Sequence, residues 1–213
     1  EILGPHEADP SRGRISDLTA QGSSGKTAVA LRKVPELTGA GQPVAWVDAS
    51  RNFYPPSAAA GGVVLERLLW VRPVDLADAL KAADILMRGQ AFPLVVFDWG
   101  AEPPGGAGSL DIGTAVARLN GLCALSRGVL LFVTTPRTAR DPLRYYATLR
   151  MEVRRARGGE SERIQATESA TAPRRLRLVG VPLQERRSRV AVQVIKNKLG
   201  PPSGPIEVAF DER

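Results

Sequence analysis

Residues 20–27 read AQGSSGKT and stand between the strand-like RISDL that begins at Arg14 and the Ala-rich run AVALR. That placement decides the fold. The spacing is G-x-x-x-x-G-K-[ST] with Ala20 in the first slot, and it is preceded by strand signals and followed by helix signals. Gly22 and Gly25 allow a turn tight enough for the N–H groups around Ser23 and Ser24 to face one anion. Lys26 then reaches the outer phosphates and the Thr27 hydroxyl takes Mg²⁺. A helix starting here adds the positive end of its dipole. Pro35 falls eight residues past Thr27. Proline removes an intrahelical bond, so the helix is expected to be short or bent.

Outward from this unit, strand and helix signals alternate. PVAWVDAS and LERLLWVRP read as the second and third strands. Asp75 caps a helix, DLADALKAADILMRG, whose Leu76, Leu80, Ala83, Ile85 and Met87 supply an apolar stripe closed by Gly89. PLVVFDWG is an unbroken apolar strand of the kind covered on both faces. AEPPGGAGS reads as a loop, LDIGTAVARLNGLCALSRG as a helix and VLLFVTT as another buried strand. This alternation predicts an α/β fold with a largely parallel twisted sheet and helices on both faces.

After Thr135 the pattern changes. YYATLRMEVRRA alternates, with Leu149, Met151 and Val153 on one face and Arg150, Glu152 and Arg154 on the other. RRLRLVGVPLQ, SRVAVQVIKNK and PIEVAF read as antiparallel strands added at the sheet edge, their exposed faces carrying the arginines. Residues 1–12 form an N-terminal extension and 13–213 a single core, with 158–173 a flexible polar loop.

Charge is uneven. Residues 1–136 hold 12 Lys+Arg against 13 Asp+Glu, net −1, and residues 137–213 hold 17 against 9, net +8. Such a basic third suits nucleic acid, an acidic partner or an ordinary solvated β-surface, and composition does not choose among them. Cys123 is alone, which excludes an internal disulfide and fits a reducing cytosol; one histidine, His6, leaves no zinc site or Cys/His nucleophile. No apolar run is long enough to cross a bilayer.

GRISDLTAQGSSGKTAVAL, AWVDAS, ADILMRG followed by PLVVFDWG, RYYATLRMEVRRA, and VQVIKNKLGPP together resemble, in order and spacing, the ATP-binding core of the RecA recombinases. The likeness runs from about Gly13 to Phe210, and the late VIKNK makes it specific. The resemblance implies a RecA-like P-loop core. It implies ATP with Mg²⁺ at Ala20, Gly22, Ser23, Ser24, Gly25, Lys26 and Thr27, with Asp98 acting on the metal. It also implies that Lys196 and Lys198 reach across a subunit interface to a neighbour's γ-phosphate.

The departures are as informative. Ser50 stands where the family's water-orienting glutamate follows VDA, and Thr134 and Thr135 stand near its γ-phosphate-sensing glutamine. Ser57 aligns near its adenine-stacking tyrosine, and PRTARDP is all that remains of a DNA-binding loop. Losing an orienting base costs a factor of about 10² to 10⁴, so no catalytic residue is assigned and ATP is expected to be held weakly or not at all. A substitute carboxylate, Glu66 or Glu102, is the competing account.

This compact, degenerate form resembles ImuA, which implies a cytoplasmic, nucleoid-associated accessory of SOS-induced translesion synthesis touching RecA and an ImuB-type Y-family polymerase homologue. The net +8 of residues 137–213 predicts weak, non-specific DNA binding at most. The competing functions are a DNA-dependent ATPase and recombinase, and a recombination mediator binding single-stranded DNA. A RecA-like cell-division inhibitor ranks last, because such proteins lack the intact cradle.

Overall fold

The computed structural model describes residues 13–22, 24–100, 111–126, 128–136, 141–155, 187–198 and 206–211. Eight strands form one sheet in the order β3-β2-β4-β5-β1-β6-β7-β8. They are β1 (Ile15–Thr19), β2 (Val44–Asp48), β3 (Leu68–Val71), β4 (Leu94–Gly100), β5 (Val129–Thr134), β6 (Leu149–Arg155), β7 (Arg187–Asn197) and β8 (Ile206–Asp211). The first six run parallel; β7 pairs antiparallel with β6, and β8 with β7. The architecture is α/β, mostly parallel, with antiparallel additions at one edge as the sequence predicts.

Every residue of β1, β2, β4 and β5 is buried, because helices cover both faces. One face packs Leu18, Trp46, Val96 and Leu131 beneath α1 (Lys26–Leu31), α2 (Val34–Gly39) and α3 (Pro55–Ala60). The other packs Ile15, Phe97 and Phe132 against α4 (Leu76–Gly89), α5 (Ile112–Leu125) and the short α6 (Leu143–Tyr146). The helix after the cradle is short, as Pro35 requires: α1 has six residues, and proline occupies the opening turn of α2, where its missing N–H costs nothing.

Several local expectations are corrected. Ile85 is 68% exposed, and the buried stripe of α4 is Ala79, Leu80, Ala83, Leu86 and Met87, which keeps the i, i+3, i+4 spacing that position 85 breaks. The helix ends at Gly89 as expected, but the left-handed residue that closes it is the next one, Gln90 (φ 52°). Leu65–Arg67 forms a 3₁₀ turn, so the third strand is only Leu68–Val71. Tyr145 and Tyr146 lie in α6 rather than in a strand. Arg150 keeps its predicted face of β6 but is 7% exposed, not a surface arginine. The N-terminal extension (1–12), the 101–109 and 158–173 loops and the RRLRLVGVPLQ strand expected from the sequence lie outside the described residues.

Candidate functional site

The cradle follows the carboxyl end of β1, a central strand flanked by β5 and β6. Gly22 (φ 56°) and Gly25 (φ 84°) both take left-handed backbone, and the Ser24 N–H donates to Gly22 O at 3.0 Å. Nothing lies within 4 Å of a methyl built on Gly22, so that glycine is there for its backbone angle. Gly25 is constrained twice, since a methyl there would stand 3.0 Å from Val190 of β7. The Val29 N–H to Gly25 O bond, 2.9 Å, starts α1 at Lys26. Ser24 is buried with a hydroxyl that has no hydrogen-bond partner. Ser23 lies outside the described residues.

Asp98 is brought to this loop by β4. It is 1% exposed, and its Oδ2 has no hydrogen-bond partner. Burial pushes its carboxyl from 3.8 up to about 6; a Ser50 hydrogen bond and the Lys26 charge oppose this, while Asp48 adds to it. Lys26, half-buried, is held below the usual lysine range by burial, with Asp98 pulling the other way. An orphaned carboxylate oxygen beside a cradle lysine fits the chemistry of a Mg²⁺-bound phosphate, with Thr27 half-buried at the next position. The donor set is thus compatible with a nucleoside triphosphate and Mg²⁺.

The neighbouring carboxylate is spent on structure. Asp48 pairs in register with Asp98, is fully buried, and accepts on Oδ1 from Ser50 Oγ (3.2 Å), Asn52 N (3.0 Å) and Phe53 N (3.3 Å). Its Oδ2 accepts from Trp70 Nε1 at 3.2 Å. With three donors on Oδ1 and one on Oδ2, this carboxylate orders the β2–α3 turn. Ser50 belongs to that turn: its N–H donates to Asp98 O at 2.9 Å, and a methyl on Gly100 would lie 2.8 Å from its Cβ. Glu66 sits exposed in the turn that leads into β3, whose first residue pairs with the first of β2, at the end of the sheet away from the cradle. Glu102 lies outside the described residues.

Neither threonine faces open space. Thr134 Oγ1 donates to Asp17 Oδ1 at 2.8 Å, and Thr135 Oγ1 to Gly100 O at 2.9 Å. The first bond belongs to a buried ionic cluster that sequence reasoning missed. Arg150 of β6 pairs with Asp17 of β1 (2.8 Å) and with Asp141 (2.7 Å), whose Oδ1 also accepts the Leu143 N–H at 3.0 Å. Asp17 and Arg150 are register partners on adjacent strands. The available signal was a charged residue inside RISDL, a strand otherwise destined for the interior.

Lys196 and Lys198 stand away from the cradle. Lys196 is opposite Arg150, whereas Val190, which touches Gly25, is opposite Arg155. Those five residues of strand separate the lysines from their own phosphate loop by roughly 17 Å. The structure therefore does not join them to the cradle of the same chain. They meet α6 instead: Lys196 Nζ donates to Arg144 O and to Tyr145 O (3.2 Å), and Lys198 Nζ to Tyr145 O at 2.6 Å.

Comparison with known proteins agrees with this architecture. The RecA N-terminal domain family matches residues 8–104. The chain is 30% identical to Protein RecA of Lactobacillus delbrueckii subsp. bulgaricus, over 92% of this chain and 61% of that protein. It is 30% identical to Protein RecA of Picosynechococcus sp. over 90% and 57%, and 28% identical to that of Chloroflexus aurantiacus over 90% and 56%. It thus spans 56–61% of the length of these curated relatives. Among the described residues no helix is long and apolar enough to cross a membrane.

Proposed function

The chain is RecA-like in sequence and fold, and on that premise we propose that it is a mutasome accessory of the ImuA kind. It acts in damage-induced translesion synthesis by contacting RecA and an ImuB-type polymerase homologue rather than by turning over ATP. It works in the cytoplasm at the nucleoid. Lys26, Thr27 and Asp98 are the residues that would hold a nucleotide and Mg²⁺.

One observation carries this reading. Where an oriented water needs a base, Ser50 offers a hydroxyl already donated to Asp48, and all four donors around Asp48 are fixed. A cradle without an orienting carboxylate can hold a phosphate without hydrolysing its anhydride. The distance of Lys196 and Lys198 from the cradle of their own chain supports a role toward a nucleotide held by another subunit, where charge-assisted contacts to a triphosphate exceed those to neutral groups. ATP-loaded RecA is the partner this favours.

The experiment has two arms. Phosphate release with single-stranded DNA present is expected to stay at background; a rate comparable to RecA's, abolished by Lys26→Ala, replaces this reading with the DNA-dependent ATPase or mediator. Capture of ATP-loaded RecA is expected to fall with the Lys196→Glu, Lys198→Glu double variant, while capture of the polymerase homologue and thermal stability stay near those of the parent. Undiminished RecA capture removes the trans-lysine contact.

A further inference from the structure

The two lysines are not free to reach. α6 has four residues, so its last carbonyls lack intrahelical acceptor bonds, and a cation nearby is the usual remedy. Here β7 supplies two. The Tyr145 carbonyl accepts from both ammonium groups and the Arg144 carbonyl from Lys196. Lys198 also stands 5.4 Å from the centroid of the Tyr145 ring. That ring is 72% exposed and meets Tyr146 edge-on at 4.9 Å. The Lys198 N–H fixes the strand end through Thr148 O at 3.0 Å.

Resting on the trans-lysine reading above, we propose that α6 is a latch that holds Lys196 and Lys198 back from a partner until a triphosphate out-competes its carbonyls. Two cations converging on one neutral oxygen repel each other, and Lys196 is held below the usual lysine range by burial first and then by Lys198 and Arg150, with Asp141 opposing. The arrangement is satisfied in hydrogen bonds but not in charge. A polyphosphate oxygen carries the charge the carbonyls lack, so it wins where a weaker anion does not. Release leaves two helix-end carbonyls to water, and that cost multiplies the apparent affinity by the fraction of molecules already unlatched, which lowers it. The latch therefore acts as a filter. A partner presenting a γ-phosphate opens it, and one presenting only a diphosphate opens it less readily.

The test begins on the isolated chain, by ¹H–¹⁵N correlation of lysine NH₃⁺ groups in mildly acidic buffer. These signals survive only where hydrogen bonds slow exchange with water. Lys196 and Lys198 are expected to exchange more slowly than Lys81, whose side chain is 73% exposed and reaches a single acceptor, Asp78 Oδ1, at 3.2 Å. Tyr145→Leu keeps the backbone carbonyl and removes only the ring beside Lys198, so it should speed exchange of the Lys198 signal and leave that of Lys196, and Tyr145→Phe, which retains the ring, should change neither. Inorganic tripolyphosphate should displace both signals at a concentration on the order of tenfold below that of inorganic phosphate. Exchange of both lysines as fast as Lys81, or equal potency of the two anions, overturns the latch.

The second arm measures capture of ATP-loaded RecA. Tyr145→Leu should raise it roughly threefold or more, by removing part of the restraint. Unchanged or reduced capture, with Lys198 shown to be released, means that the latch does not restrain binding. Capture by neither the parent nor the variant counts against the accessory reading alone, because the latch is then still judged by the ammonium signals and their response to tripolyphosphate.

Discussion

Asp98→Asn tests whether the buried carboxylate is kept for a ligand rather than for the fold. Burial lifts its carboxyl from 3.8 to about 6. Because the folded value is the higher, the native state binds the extra proton, and stability is lost as pH rises from the first value through the second. The gap, at ~1.4 kcal/mol for each unit of pH, is about 3 kcal/mol once Asp98 is fully ionised. Roughly half of this is already felt at about pH 5. An asparagine leaves the Asp98 backbone carbonyl bonded to the Ser50 N–H and removes the charge, while Lys26 loses a facing carboxylate and returns part of the gain. The expected net is a stabilisation of about 1–3 kcal/mol at about pH 8, or ~2–12 °C in Tm for a chain of this size. Thermal unfolding followed by circular dichroism across pH reads it directly. A variant no more stable than the parent at about pH 8, or a gain that fails to shrink toward about pH 5, refutes the argument. The stabilised variant should also lose any thermal shift produced by Mg²⁺ with ATP.

Arg150→Met should have the opposite effect. It leaves Asp17 and Asp141 as two buried carboxylates without their shared cation, which costs about 3–5 kcal/mol in urea unfolding; a loss under ~1 kcal/mol would show that water reaches the cluster. Cys123, buried and with its thiol pushed up to about 12, should react with a disulfide reagent only as fast as the chain unfolds; rapid stoichiometric labelling in native buffer contradicts that. The net +8 of residues 137–213 should give at most weak, sequence-independent DNA binding, with log affinity falling by ~0.7 per phosphate contact for each tenfold rise in salt. Fluorescence anisotropy that barely changes with salt would sink the electrostatic account.

The sheet was legible because its signals are local. An apolar run ending in a glycine turn, a capping aspartate three residues before the N–H it accepts, and a proline near the start of α2 each act through the nearest few residues. The misreadings fall where the outcome depends on distant parts of the chain. Ile85 looked like part of a stripe until the sheet fixed which side of α4 faces inward. Arg150 looked like one more surface arginine, because nothing near it in sequence reveals that Asp17, on the strand beside it, has no other cation in register. The pairing needs the β1–β6 neighbourhood, and only the fold supplies that.

The site shows the same division more sharply. That a serine follows VDA is visible in the sequence; how the neighbouring carboxylate Asp48 is engaged is not. Asp48 is two residues away, buried, and in register with Asp98, so on position alone it is the natural substitute. Its hydrogen bonds decide the question. With Ser50, Asn52 and Phe53 on one oxygen and Trp70 on the other, turning Asp48 toward a phosphate would free a half-buried indole N–H and open the turn that carries α3. Each donor abandoned without a new partner costs ~1–3 kcal/mol, so recruiting the carboxylate would cost an amount of the same order as a general base returns in barrier height. Asp48, the buried carboxylate two residues from Ser50, is thus the one that holds the β2–α3 turn in shape.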